Sequence, residues 1–233
     1  DSAKFLNSLG VKYFKTASPD LHDFFLHKYL SKLNKKIIIS TGMSNQKEIE
    51  QCLKLYKKKS NIALLHCVSS YPVPTAQANL LSIKYMKKRF KNISIGYSDH
   101  TIGMTACFVA ASLGADVIEK HFTLDNNFSK FRDHKLSLNP KDFKEMVKKI
   151  REIECLLGKK DKIIQKCERE GLKSSRRSLA LVGNLKKGHK LRSKDLTGLR
   201  PEKFFSVEKK ISFIGKTLKK NVSSGEFLTK REI

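Results

Sequence analysis

Ile93-Ser94-Ile95-Gly96-Tyr97-Ser98-Asp99-His100, a helical pattern over residues 104–113, and Val117-Ile118-Glu119-Lys120-His121-Phe122 form one strand–helix–strand reading. Both flanking runs have apolar bodies and polar tips. The same rhythm extends outward in each direction. Further apolar runs lie at 11–15, 37–41 and 62–67, and further amphipathic patterns at 21–33, 46–58, 81–90 and 140–157. Asn139-Pro140 supplies a cap and a first-turn proline for the last of these, and Phe143, Val147, Ile150, Ile153 and Leu157 then recur on one face. Alternation of this kind predicts an α/β domain with a parallel sheet and right-handed crossovers.

Periodicity alone does not choose between a doubly wound sheet and part of a barrel. The strand ends do. They read Lys15-Thr16-Ala17-Ser18, Ser40-Thr41-Gly42, His66-Cys67, Ser98-Asp99-His100 and Glu119-Lys120-His121. A (β/α)8 TIM barrel collects all such ends around one mouth, so the pattern favours that fold. A whole barrel takes about 250 residues, so the first roughly three βα units, about 90 residues, are expected to lie upstream of Asp1.

The boundaries predicted are 1–158 for the C-terminal part of the barrel domain, 159–177 for a basic linker, and 178–233 for a small β-rich domain. The last contains an internal repeat. Asn184-Leu-Lys-Lys-Gly188-His-Lys-Leu191-Arg-Ser-Lys-Asp195-Leu196 returns as Asn221-Val-Ser-Ser-Gly225-Glu-Phe-Leu228-Thr-Lys-Arg-Glu232-Ile233. Two copies are too few for a solenoid and predict a pseudo-symmetric module.

The chain of 233 residues is 39% hydrophobic and carries a net charge of +26. That charge is mostly lysine, 39 Lys against 9 Arg, and is spread over every predicted helix. Base-edge readout favours arginine on a localised face, so no nucleic acid partner is expected. Salt-dependent binding to DNA or RNA remains the reading that the charge alone would support. No apolar stretch of membrane-spanning length occurs in the sequence, and no membrane partner is expected. Five scattered cysteines without a CxxC pair read as reduced thiols, with Cys52, Cys107 and Cys155 inside apolar helical patterns, and point to the cytoplasm.

His100 and His121 end successive strands and should be neighbours. With Asp99, Glu119 and Asp133 as oxygen donors they form a candidate site for a divalent metal with open positions. Glu119 and His121, two apart in a strand, should face the same way. The competing reading is two ordinary hydrogen-bonded histidines. Lys15 at a strand end suits a phosphate, with hydroxyls at Ser18, Ser40 and Ser98 adding hydrogen bonds. Tyr71, held between stiffening prolines, is either a ligand contact or a packed aromatic. No phosphate-binding glycine loop occurs, so nucleotide binding has no support.

Phe14-Lys15, Ile38-Ile39-Ser40-Thr41-Gly42-Met43, Leu65-His66-Cys67, Tyr71-Pro72, Gly96-Tyr97-Ser98-Asp99-His100-Thr101, Glu119-Lys120-His121-Phe122-Thr123 and Asp133-His134-Lys135 resemble, in order, the sialic acid synthase family. That family includes the N-acetylneuraminate, pseudaminate and legionaminate synthases. The resemblance implies a TIM barrel followed by an antifreeze-like (SAF-type) domain, in a domain-swapped homodimer. It implies a transferase that condenses phosphoenolpyruvate with an N-acetylated amino sugar, giving a nonulosonic acid and phosphate for bacterial surface polysaccharide. By the same resemblance His100 and His121 hold the metal, Mn2+ with Mg2+ or Co2+ as alternatives, and Glu119 sits beside it. Lys15, Ser18, Ser40 and Ser98 bind phosphoenolpyruvate, with Asp20 nearby. Tyr71 and Asp133 contact the sugar, and Arg200 reads the N-acyl group in the partner protomer's site. Ser69 stands where the family usually has Asn, which weakens the expected carboxylate contact. The segment by itself is expected to be inactive. The alternative is a non-catalytic sugar-binding relative that kept the fold with an incomplete site.

Overall fold

The five apolar runs form β1 (Tyr13–Thr16), β2 (Lys36–Ser40), β3 (Ile62–Cys67), β4 (Ser94–Asp99) and β5 (Ile118–Lys120), paired in parallel in the order β1-β2-β3-β4-β5. The computed structural model describes residues 1–130 and 132–233. Between the strands run α2 (Phe24–Leu30), α3 (Gln46–Lys54), α4 (Leu81–Arg89) and α5 (Thr105–Ser112). A short α1 (Ser2–Ser8) precedes the sheet, and α6 (Arg132–Leu136) and α7 (Pro140–Leu157) follow it. The first compact unit is Asp1–Gly158 and the second Lys159–Ile233.

Strand alternation divides the sheet into two chemically distinct faces. Phe14, Ile37, Ile39, Ile62, Leu64, Ile95 and Tyr97 are buried with Leu30, Ile49, Leu53, Ile83, Met86 and Ala110 in the main core. The intervening residues, Lys15, Ser40, Cys67, Ser98 and Glu119, belong to the opposite face. That face is concave. In a flat sheet β1 and β5 would stand roughly 19 Å apart at about 4.8 Å per strand. Yet Lys15 Nζ lies 3.4 Å from Glu119 Oε2. The sheet therefore curls into a half-barrel, its polar face inside.

Local signals account for the helix boundaries. The pattern expected to be helical from 21 to 33 is interrupted. Pro19 starts a 3-10 turn (Ser18–His22), and Asp23 then accepts from Leu26 N to begin α2. Asn45 caps α3 with Glu48 returning the bond, and Asn139 caps α7 through Asp142 N. Cys155, expected within an apolar face, is exposed on α7. Among the described residues, no helix is long and apolar enough to cross a membrane.

The expected linker contains structure: a 3-10 turn (Lys166–Glu168) and α8 (Arg169–Ser175). Its basic residues mask a short amphipathic turn in which Leu172 is half-buried. Two strands, β6 (Ser178–Leu181) and β7 (Leu196–Leu199), pair antiparallel, and α9 (Lys210–Phe213) follows. The repeat is a structural one. Leu185 and Val222 pair across it, Asn184 accepts from Ser224 N, and Asn221 accepts from Lys187 N. Gly188 and Gly225 share a positive φ, 86° and 82°, which glycine adopts without steric cost. Leu191 and Leu228 are buried, and Asp195 and Glu232 each cap a turn through Arg192 N and Thr229 N.

Candidate functional site

The polar tips of the strands converge on the concave face of the half-barrel. Lys15 donates to Ser40 Oγ at 2.8 Å and to the Thr16 carbonyl at 2.9 Å, and reaches Glu119. Ser98 donates to the other oxygen of Glu119 at 2.7 Å. One ammonium, two hydroxyls and one carboxylate, from four strands, thus form a continuous chain across the mouth. Ser18, at the start of the turn after β1, accepts from Gly42 N at 3.0 Å and donates to Cys67 Sγ at 3.5 Å. Asp20 uses a carboxylate oxygen to accept from Ala17 N, closing that turn.

His100 and His121 come just after β4 and β5, and their ring centroids are 5.1 Å apart in an edge-to-face arrangement. Tyr71 lies against His100 with ring centroids 4.2 Å apart and the planes tilted by 37°, and meets His121 edge-on at 5.8 Å. The Nδ1 of His100 donates to the Val68 carbonyl at 3.0 Å, which leaves Nε2 as the lone-pair nitrogen. Burial works against the charge on His100. The Cys67 thiol, the Val68 carbonyl and the Asp99 carboxylate outweigh it and raise the pKa above the ordinary imidazole value. Burial and the nearby His100 push His121 the other way, against the pull of Asp133 and Glu119. Burial also opposes ionisation of Cys67, but hydrogen bonds from His100, Ser18 and Ser98 hold it below its usual value.

The oxygen donors sort unequally. Glu119 shares the inner face with the histidines, and Asp133 on α6 is near enough to His121 to act on its charge. Asp99, counted among the donors from sequence, turns to the outer face. There it pairs with Lys120 and accepts from Tyr97 and Thr101. Alternation excludes it, because Asp99 and His100 are adjacent in the chain. Among the described residues, no group of three or more His, Cys, Asp or Glu is arranged to hold a metal. Two facing imidazoles with a free nitrogen fit a cation whose other positions are filled from outside the protein. They do not make a closed site.

Ser69 Oγ is buried without a hydrogen-bond partner among the described residues, close to Gly42 and Ser18. A buried hydroxyl of this kind calls for a ligand or water. Arg200 lies on the second unit at the end of β7, exposed, donating from Nε to the Ser175 carbonyl at 2.8 Å. Sequence reasoning passed over Lys120 and gave Cys67 no role, although both are buried next to the histidines. One signal for Lys120 was available. Asp-His and Lys-His at the ends of paired strands put opposite charges side by side on the far face.

Residues 1–162 match the NeuB family. The chain is 40% identical over 232 residues to the N,N'-diacetyllegionaminic acid synthase of Campylobacter jejuni, covering 98% of this chain and 69% of that enzyme. A crystal structure of N-acetylneuraminic acid synthetase from Leptospira borgpetersenii, in complex with citrate, is similar with a TM-score of 0.68 at 35% identity, over 72% of this chain and 59% of that one. The spore coat polysaccharide biosynthesis protein SpsE of Bacillus subtilis is similar over all of this chain and 70% of its own, with a TM-score of 0.63 at 28% identity. The chain thus spans between 59% and 70% of the length of each of these relatives.

Proposed function

The chain belongs to the NeuB family, and from that premise we propose that it carries the larger part of a synthase joining phosphoenolpyruvate to an N-acetylated amino sugar. The products are a nonulosonic acid and phosphate. The observation that carries this reading is the Ser40–Lys15–Glu119–Ser98 chain beside the facing pair His100 and His121 on one concave face.

In this reading Lys15, Ser18, Ser40 and Ser98 receive the phosphate and carboxylate of phosphoenolpyruvate, anions that suit an ammonium ringed by hydroxyls. Ser69, with its unpartnered hydroxyl, completes the carboxylate contact, and Asp20 keeps the turn carrying Ser18 closed. Tyr71 walls the sugar side, and Asp133, near His121, contacts the sugar as well. His100 and His121 would hold a divalent cation, Mn2+ before Mg2+ or Co2+, which when bound polarises the sugar aldehyde as a Lewis acid. Carbon 3 of phosphoenolpyruvate then bonds to the aldehyde carbon, water adds at carbon 2, and phosphate leaves as the carbon 2 ketone forms. Negative charge grows on the aldehyde oxygen during the first step, and fixed charges at the mouth stabilise it without reorganisation. Glu119, fixed between Lys15 and Ser98, is placed to manage the proton of the added water.

The second unit we read as an antifreeze-like domain, supported by its two-fold repeat of turns. Its Arg200 would serve the site of a partner in a domain-swapped homodimer.

The test is phosphate release from phosphoenolpyruvate by the full-length protein, with Mn2+ and a panel of N-acetylated amino sugars, beside His100→Ala. Sugar-dependent release that disappears in the variant supports the synthase and identifies its acceptor. Sugar binding without release from any member of the panel would replace this reading with a non-catalytic relative.

A further inference from the structure

Directly behind the two histidines, on the outer face of the sheet, is an ion pair with no role in the site so far. Lys120 Nζ lies 2.8 Å from Asp99 Oδ2, and both side chains are completely buried. Lys120 also donates to the Thr101 carbonyl. Asp99 accepts from Tyr97 Oη at 3.0 Å, from Thr101 N at 2.8 Å, and from the Cys107 thiol at 3.3 Å. The two residues are directly paired in the β4–β5 register.

A fully buried pair is a weak source of stability, because desolvation consumes most of its Coulombic gain. Its position is more informative. Asp99 and Thr101 flank His100, and Lys120 binds both of them while immediately preceding His121. Further hydrogen bonds hold the two histidine carbonyls, from Val73 N at 3.0 Å and Leu138 N at 2.9 Å. Any shear between the ends of β4 and β5 would change the separation of the imidazoles, and this pair resists it on the outer face, as the Ser98–Glu119 hydrogen bond does on the inner one.

We propose that Asp99 and Lys120 are positioning residues: their buried ion pair fixes the spacing and aim of His100 and His121 from the opposite face of the sheet. The inference rests on the reading that these histidines hold the cation. The pair touches neither cation nor substrate. Loss of outer-layer support of this sort weakens metal affinity by about 10–100-fold.

The experiment is a Mn2+ titration of the full-length protein, followed by the electron paramagnetic resonance signal of the free ion. His100→Ala tests the underlying reading: unchanged Mn2+ binding in that variant removes the metal site itself. Given loss there, the double variant Asp99→Asn/Lys120→Met decides the proposal, since it removes both charges together and leaves neither buried alone. Expected is a folded protein whose Kd for Mn2+ rises at least tenfold. Wild-type affinity in the double variant overturns the proposal. So does an equal loss in Leu64→Ala, a core change on the outer face of β3 that reports general destabilisation. Should the double variant not fold, Lys120→Met and Lys120→Arg are compared. Arg is expected to keep the affinity and Met to lose it, and equal values overturn the idea.

Discussion

Gly42 has no side chain where Ser69 needs room: a β-carbon there would collide with Ser69 Oγ and stand 2.7 Å from Ser18 Oγ. Both hydroxyls belong to the proposed phosphoenolpyruvate pocket. Gly42→Ala should therefore destabilise the chain by about 1–3 kcal/mol, in the range for overpacking a filled site. It should also abolish the rise in melting temperature on adding phosphoenolpyruvate. Adding Ser69→Gly should recover part of the stability, since the crowding against Ser18 remains, and none of the ligand response. Retention of the full ligand response by Gly42→Ala would remove Ser18 and Ser69 from the pocket.

Lys15 and Glu119 are each about one third exposed, 32% and 40%. An ion pair that open to water is worth about 0–1 kcal/mol, so an incoming phosphate displaces Glu119 readily. Lys15→Met should lower kcat/KM for phosphoenolpyruvate by about 10²–10³, the loss expected from removing one preorganised charge contact. Glu119→Gln should lower kcat while also lowering KM, because the lysine is released from its competitor. Steady-state kinetics separates the two, and a raised KM in Glu119→Gln would contradict the competition.

The thiols should react in two classes. Cys155 and Cys167 are exposed, whereas Cys52, Cys67 and Cys107 are buried. Burial pushes Cys52 up to about 12. It raises Cys107 as well, with help from the Asp99 charge. Reaction with an aromatic disulfide at pH 8 should consume two thiols quickly and the other three only with unfolding, Cys67 included, because burial keeps the reagent away even from a thiol whose pKa is lowered. Fast modification in a Cys155→Ser/Cys167→Ser variant would show that the core opens.

Acid should loosen the second unit through Asp195 and Glu232. A hydrogen bond from His189, with others from Arg192, holds Asp195 below its ordinary value despite burial. Burial raises Glu232, but bonds from Lys220 and Thr229 outweigh that and lower it. Both folded-state values lie below the unfolded ones, about 3.9 for Asp and 4.3 for Glu. Their contribution is complete above those values and is lost as pH falls through the folded-state ones. Hydrogen exchange at the Leu191 and Leu228 amides should accelerate below about pH 4, relative to the intrinsic rate. Asp195→Asn/Glu232→Gln should reduce protection at pH 7 and flatten the acid limb; a limb as steep as wild type would assign the acid response to other carboxylates.

Much of this molecule was legible because periodicity and chemistry coincide. The residues at strand ends, Lys15, Ser40, Ser98, His100 and His121, fall on one side of the sheet for the same reason that Ile37, Ile39 and Leu64 fall on the other. What escaped sequence reading was contact chemistry across strands. Nothing local announces that Glu119 reaches Lys15, since that depends on how tightly the sheet curls. Lys120 reads as a surface charge in a lysine-rich chain, and only the burial of its register partner Asp99 gives it another meaning. The helix in the expected linker escaped because its apolar content is small, with Leu172 its most evident contribution.

The two-faced sheet also predicts which changes of length the chain can accept during divergence. Insertions in the βα loops shift a tip and leave every strand in phase. One residue gained or lost inside β4 would exchange Ser98 and His100 for Tyr97 and Asp99. The ligand-facing layer would then enter the core, and an aromatic and a carboxylate would line the mouth. Relatives of this chain should therefore vary in loop length while every strand keeps its parity, and a frame slip within β4 should destroy fold and chemistry in a single event.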